Sequence, residues 1–235
     1  MMDLPARSAK YRLRIAVAEI DLLRALPKTK RNIQARAMAK TPERIAASRE
    51  FGERYFDGPR DFGYGGYRYD GRWMQVAKDI VRHFGLKSGD RILDVGCAKG
   101  FLVKDLMGVC PGLEAFGLDI SEYALMHCEK EVVGRLHLGS ATRLPFPDGS
   151  FNAVISVNTI HNLDAEGVVT ALREIERLSP GRAFVQVDAY HTEEQRELFM
   201  QWVLTAAYHD FPQGWFDLFR RAGYTGDWYW TVLEG

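Results

Sequence analysis

A chain of 235 residues, 46% hydrophobic and 26% charged, has the composition of a globular enzyme and can bury a core without cross-links. Lys+Arg and Asp+Glu both number 31, so the formal net charge is zero and composition offers no argument for a nucleic-acid partner. Cys97, Cys110 and Cys128 form no C-x-x-C pair or disulfide framework, and the sequence has neither an apolar leader nor an apolar run approaching about 18 residues, so the expectation is a soluble cytoplasmic protein with no membrane partner.

Charge is unevenly placed. Residues 1–60 carry 14 Lys+Arg against 7 Asp+Glu, a basic stretch that suits a solvated helical face better than a docking surface. Within it, Leu13, Ala16, Val17, Ile20 and Leu23 recur at three and four, which predicts an amphipathic helix over residues 10–26, stopped by Pro27. Thr41 and Pro42 read as the cap and first position of a second helix running to about Tyr55. Residues 55–73, YFDGPRDFGYGGYRYDGRW, are dense in glycine and aromatics, follow neither period, and read as an ordered loop.

Beyond this loop, helix and strand alternate. A helix over residues 73–84 leads to strands over 91–95, 114–119, 135–138, 151–157 and 183–188, with helices near 121–131 and 165–177 between them. Two further helices precede a last strand over 228–233. Strands separated by helices imply an α/β fold with a mostly parallel sheet, helices on both faces and ligands at the carboxyl ends of the strands. The division expected is a helical cap with an aromatic lid over 1–75 and a catalytic unit over 76–235.

The motifs fall at those strand ends. ILDVGCAKGFL (92–102) is a buried strand, a glycine turn and a helix start, with Gly96 and Gly100 allowing close approach of a ligand. GLDIS places Asp119 at the end of the next strand, where a carboxylate accepts from two ribose hydroxyls. GSATRLPFPDGSFNAVIS (139–156) supplies a polar turn and an apolar wall. The turn lacks the G-x-G-x-x-G spacing that cradles a pyrophosphate, which argues against a nicotinamide dehydrogenase.

Together these residues resemble the class I S-adenosylmethionine-dependent methyltransferase superfamily. The resemblance implies a Rossmann-like fold with S-adenosylmethionine as co-substrate. It places Asp94, Gly96, Cys97 and Gly100 around the methionine portion, Asp119 on the ribose, Ile120 on the adenine and Ser140, Ala141 and Thr142 around the base. Two positions depart from the pattern: Ala98 stands for the commonest middle glycine, and Ala141 for an aspartate that accepts from the adenine amine.

In the same superfamily the end of the fourth strand faces the transferred methyl group. That makes Asn158 and His161 of SVNTIHNL candidates for orienting or deprotonating an acceptor, while a capping or buried structural role for His161 stands equally open. DAYH at the next strand end adds Asp188, Tyr190 and His191 as candidates for an acceptor pocket, with a plain polar turn before a helix standing at least as open. Tyr64, Tyr69 and Arg72 of the aromatic loop are expected over the cofactor, the rings facing its sulfonium and the guanidinium its carboxylate. No metal-ligand spacing is present, so no metal is expected.

The activity expected is in-line methyl transfer to a small polar metabolite. The alternatives are attack at the methionine γ-carbon, releasing methylthioadenosine, and a non-catalytic binding subunit. Only one strand follows residue 188 where the superfamily's seven-stranded sheet has two, so either a strand is missing or a second chain completes the edge. A monomer or a homodimer is expected.

Overall fold

The computed structural model describes residues 17–27 and 31–234. In chain order the first elements are α1 (Ile33–Ala39), α2 (Pro42–Arg49), α3 (Glu53–Phe56), α4 (Met74–Phe84), β1 (Arg91–Val95), α5 (Phe101–Val109), β2 (Glu114–Asp119) and α6 (Glu122–Met126). There follow β3 (Leu136–Leu138), β4 (Ala153–Val157), α7 (Ala165–Leu178), β5 (Ala183–Asp188), α8 (Glu193–Trp202), α9 (Pro212–Ala222) and β6 (Asp227–Thr231).

Alternation along the central strands builds two cores, because successive side chains of a strand point to opposite faces. Leu93 and Val95 of β1, Val154 of β4, and Val185 and Val187 of β5 share one core with Leu172, Ile175, Trp215 and Leu218 of α7 and α9. Ile92, Ala153, Ile155 and Phe184 point the other way, onto Val76, Ile80, Leu102 and Leu106 of α4 and α5. Strands buried on both faces read as continuous apolar runs, which is why the sequence shows them clearly.

The sheet order is β3-β2-β1-β4-β5-β6, and every neighbouring pair is parallel. The chain steps outward from β1 to β3, then crosses to β4 on the other side of β1. Loops leaving β1 and β4 therefore diverge, and the crevice between them is the topological switch point where this class of sheet binds ligands.

The helix predicted over residues 10–26 is corrected. Residues 10–16 lie outside the described part, and 17–27 are not helical. The Ile20 N–H donates to the Trp228 carbonyl at 2.8 Å, the Trp228 N–H to the Ala18 carbonyl at 3.2 Å, and the Ala18 N–H to the Asp227 carboxylate at 3.1 Å. Pairing with β6 thus overrides the local spacing, and Leu22 and Leu23 are both buried against the α4 side of the sheet. These same residues cover part of the outer edge of β6, the edge expected to need another strand or chain.

The second predicted helix has its expected cap, with Thr41 accepting from the Arg44 N–H, but it ends at Arg49. Phe51 adopts a left-handed φ of +50°, which breaks the helix before α3. Sequence spacing gives no sign of α1, which Asn32 caps by accepting from the Ala35 N–H.

Candidate active site

The turn after β1 is built from left-handed backbone: φ is +86° at Gly96, +49° at Ala98 and +75° at Gly100. The N–H groups of Gly96 and Cys97 both donate to the Leu118 carbonyl, at 2.7 and 3.1 Å, tying the turn to β2. A Cβ at Gly96 would overlap the Thr159 side chain, so only glycine lets the loops after β1 and β4 meet. The Cys97 side chain turns down among the residues packed beneath the loop, leaving its backbone to shape the turn.

Two carboxylates stand at this turn. Asp119 accepts from the Ala98 N–H at 2.7 Å through Oδ2 and from the Ser121 N–H at 2.8 Å through Oδ1. Burial pushes its carboxyl up, and the backbone donors oppose that shift. Asp94 is 5% exposed, and burial reinforced by the Asp119 charge pushes its carboxyl up to about 7. Exposed Ile120 and the half-buried Ser140, Ala141 and Thr142 follow at the ends of β2 and β3, with Ser140 and Thr142 hydroxyls 2.8 Å apart.

The aromatic loop lies over the glycine turn. Phe56 packs with Phe51, Tyr55, Tyr67 and Tyr123 around Ala98 and Ala124, and Tyr67 stacks on Phe101 at 4.7 Å. Burial raises the Tyr67 phenol well above its ordinary range, aided by Tyr64, Asp94 and Cys97. Tyr64, 4.3 Å from Tyr67 between ring centres, is raised by burial of its hydroxyl and by the Asp119 charge. Both phenols therefore sit in the field of the two carboxylates.

A latch holds the loop there. Lys99 Nζ donates to Asp57 Oδ2 at 2.6 Å and to the Tyr67 carbonyl at 2.9 Å, and the Tyr123 hydroxyl donates to the same Asp57 oxygen at 2.8 Å. Burial raises the Asp57 carboxyl, but the Lys99 and Tyr123 donors outweigh it and leave it below its ordinary value. Sequence reasoning missed all three residues. A lysine inside an otherwise uncharged turn is a signal that an acid must meet it, yet spacing cannot single out Asp57.

Two residues expected at the cofactor are engaged elsewhere. Tyr69 donates to Asp105 at 2.6 Å, with Lys104 4.1 Å over its ring. Arg72 forms a bidentate pair with Asp70, its Nη2 2.6 Å from Oδ2.

On the other side of the switch point, His161 and Asp188 come together. β4 and β5 are parallel neighbours with Val157 opposite Gln186, so the residues after each strand are adjacent. His161, 5% exposed, places Nδ1 3.1 Å from Asp188 Oδ2, and the same Nδ1 accepts from the Asp188 N–H at 3.2 Å. Burial raises the Asp188 carboxyl, while His161, Arg31 and His209 oppose it. Exposed Asn158 has a φ of +50°, and its Oδ1 accepts from the Thr231 hydroxyl at 2.7 Å, which in turn accepts from Gln186 at 2.9 Å. Tyr190 packs with Phe199 and Ala206, its hydroxyl 3.4 Å from His209, so it is the one catalytic candidate not at this cluster.

Among the described residues no three metal-ligating side chains gather, and no helix is long and apolar enough to cross a membrane. Residues 93–186 match a family described as a methyltransferase domain. The chain is 31% identical over 134 residues to a sterol 24-C-methyltransferase of Gibberella zeae, covering 51% of this chain and 34% of that protein. It is 34% identical over 128 residues to a demethylmenaquinone methyltransferase of Symbiobacterium thermophilum, covering 51% and 50%. The chain thus spans half or less of the length of these relatives. In fold it is similar to phosphoethanolamine N-methyltransferase 2 of Haemonchus contortus, with a TM-score of 0.55 at 21% identity, covering 75% of this chain and 44% of the other. Strand order, the glycine turn, an aspartate at the end of β2 and the family match agree, and residues 93–186 form a methyltransferase domain of the class I S-adenosylmethionine-dependent type.

Proposed function

We propose that the protein transfers a methyl group from S-adenosylmethionine to a small polar metabolite, with His161 as general base. The observation that carries this reading is the 3.1 Å contact of His161 with Asp188 at the strand ends beside the switch point. In this reading Asp188 Oδ2, 3.1 Å from Nδ1, accepts Nδ1–H in the catalytic tautomer, in place of the bond that Nδ1 takes from the Asp188 N–H at 3.2 Å, and Nε2 is left for the acceptor's proton.

The crevice fits the co-substrate. Its sulfonium and ammonium outnumber its one carboxylate, and Asp94 and Asp119 offer negative charge at the glycine turn, with no described donor bonded to Asp94. In this reading Asp94, Gly96, the Cys97 backbone and Gly100 hold the methionine portion, Asp119 the ribose, and Ile120, Ser140, Ala141 and Thr142 the adenine. Tyr64 and Tyr67 close over the charge and exclude water. Asn158, its carbonyl oxygen occupied by Thr231, keeps its amide donors for the cofactor or acceptor. The bound co-substrate supplies an electrophilic methyl group already activated by its positive charge. Residues 76–235 are the catalytic unit, and the described part of 1–75 its cap and lid.

The test is incubation with trideuteromethyl S-adenosylmethionine and a panel of hydroxyl- and amine-bearing metabolites, read by mass spectrometry. A labelled product with S-adenosylhomocysteine supports methyl transfer, and His161→Asn should slow it about 10²–10⁴-fold. Methylthioadenosine without labelled acceptor would mean attack at the γ-carbon and overturn the proposal.

A further inference from the structure

A cavity of about 100 Å³ opens at the carboxyl ends of β5 and β6. Its polar lining is Arg31, Asp188, Thr205 and Thr231, and Phe199 and Leu204 contribute apolar wall. Three of these polar groups have work already. Asp188 meets His161 at 3.1 Å, Thr231 donates to Asn158 at 2.7 Å, and Thr205 faces the hydroxyl of Tyr55 in the aromatic loop. Through these three residues the cavity adjoins His161, the end of β4 and the aromatic loop, none of which lines it directly.

Arg31 differs from them. Among the described residues no carboxylate comes within 4.0 Å of its guanidinium. It lies 5.6 Å from the centre of the Trp202 ring, and Arg36 lies over the same ring at 4.6 Å. Arg36 is 8% exposed and reaches the Asp61 carbonyl at 3.4 Å, so it is fixed in place behind Arg31. The charged groups lining the cavity are Arg31 and Asp188, and His161 and His209 stand behind Asp188. Asp188 feels His161 first and Arg31 second, and Arg31, with no carboxylate in contact among the described residues, keeps its N–H donors for an incoming anion.

Resting on the methyl-transfer reading, we infer that the acceptor is a small hydroxy- or amino-carboxylate, held at its carboxylate by Arg31 with its nucleophile at His161. Arginine binds a carboxylate through two parallel N–H···O bonds, which orients the acceptor as well as holding it. The volume admits only a few non-hydrogen atoms. In the reaction the acceptor O–H or N–H bond breaks and its proton goes to His161 Nε2. The new bond to the methyl carbon forms as the methyl–sulfur bond breaks, and its electron pair stays on sulfur as S-adenosylhomocysteine.

The experiment uses the whole protein saturated with S-adenosylhomocysteine and matched probes: lactate, glycerate, 3-hydroxybutyrate and serine, each against its primary amide, with binding followed by saturation-transfer NMR. Acids should bind at least tenfold more tightly than their amides. Arg31→Ala should abolish the difference and Arg31→Lys retain part of it, with S-adenosylhomocysteine affinity within twofold of the parent as the control for folding. Arg31→Gln replaces the alanine variant if that control fails. Acids that bind no better than amides, including a panel in which nothing binds, overturn the inference, as does an advantage that survives loss of Arg31. Parallel incubations with trideuteromethyl S-adenosylmethionine separate the two readings. Amides methylated as well as acids remove the anion and leave methyl transfer. Acids bound preferentially but unmethylated, with methylthioadenosine released, leave the anion and remove methyl transfer.

Discussion

Cofactor affinity should depend on pH through Asp94. Its carboxyl is pushed up to about 7, by burial first and the Asp119 charge second, against about 3.9 for an unperturbed aspartate. A ligand of net positive charge favours the ionised form, so binding lowers this pKa and releases a proton. If the bound value returns to about 4, affinity for S-adenosylmethionine should be flat above pH 8 and fall roughly tenfold per unit below 7. Stability has the opposite sign. The folded pKa is above the unfolded one, so the contribution of Asp94 is fully present below about 4 and is lost as pH rises through about 7. The shift of about 3 units corresponds to at most about 4 kcal/mol at pH 8, with little solvent screening for a side chain 5% exposed. Asp94→Asn should therefore raise the melting temperature at pH 8, leave it nearly unchanged at pH 4, and remove the pH dependence of binding. Calorimetry at pH 5, 6, 7 and 8, with S-adenosylhomocysteine as the ligand lacking the sulfonium, measures each part. Parent affinity that does not change between pH 5 and 8, or an asparagine variant with the parent's slope, would refute the reasoning.

The glycine turn and the latch give further expectations. Ala98→Gly should stabilise the protein by about 0.5–1 kcal/mol in thermal unfolding, since an alanine at φ +49° carries strain that glycine does not. Gly96→Ala should abolish cofactor binding, and Thr159→Gly should rescue it only in part, because space returns while the strained φ of +86° remains. Asp57→Ala leaves Lys99, its side chain 7% exposed, with only the Tyr67 carbonyl and should cost about 1–3 kcal/mol, while Asp57→Leu with Lys99→Met should cost less in chemical denaturation. Because the folded Asp57 carboxyl lies below its ordinary value, the latch is present above about pH 4 and is lost as pH falls through the folded pKa. Near-ultraviolet circular dichroism of the clustered tyrosines should show this loss in the parent and not in Asp57→Asn.

What the sequence made legible follows from how local each determinant is. β1, β2 and β5 occur at the predicted bounds because these strands are buried on both faces over most of their length and are mostly apolar, with Asp94 and Gln186 as interruptions. Asp94, Asp119 and the glycine turn are legible because position at a strand end is itself a sequence property. The meeting of His161 with Asp188 was within reach, since adjacent parallel strands bring their ends together. The N-terminal error has the opposite cause. Residues 18–20 are held by hydrogen bonds to Asp227 and Trp228, more than two hundred positions away, and no local period encodes such a partner. The Lys99–Asp57–Tyr123 latch and the pairing of Arg72 with Asp70 likewise depend on where the lid comes to rest.

That resting place connects parts of the molecule that the motifs treat separately. Residues 18–20 lie along β6, whose last residue Thr231 lines the acceptor cavity and bonds Asn158. α1 packs on α8, with Arg36 over Trp202, and the lid then reaches the glycine turn through Lys99 and Asp57. Tyr55 bridges the two ends, with its ring in the lid cluster and its hydroxyl facing Thr205 of the cavity. If the proposed cofactor binds beneath Tyr64 and Tyr67, its charge would draw these rings toward Asp94 and Asp119, and a shift there would reach Thr205 and Arg31 through Tyr55 and α1. Order at the cofactor thus favours order at the acceptor cavity without a contact between the two ligands, because both are roofed by the same N-terminal segment. Thr205→Val removes the hydroxyl that faces Tyr55 and leaves the ring packing and the Tyr55–Tyr64 pairing of the lid in place. It should leave S-adenosylhomocysteine affinity unchanged while weakening the cofactor's effect on acceptor binding, and an undiminished effect would show that the roof does not couple the sites.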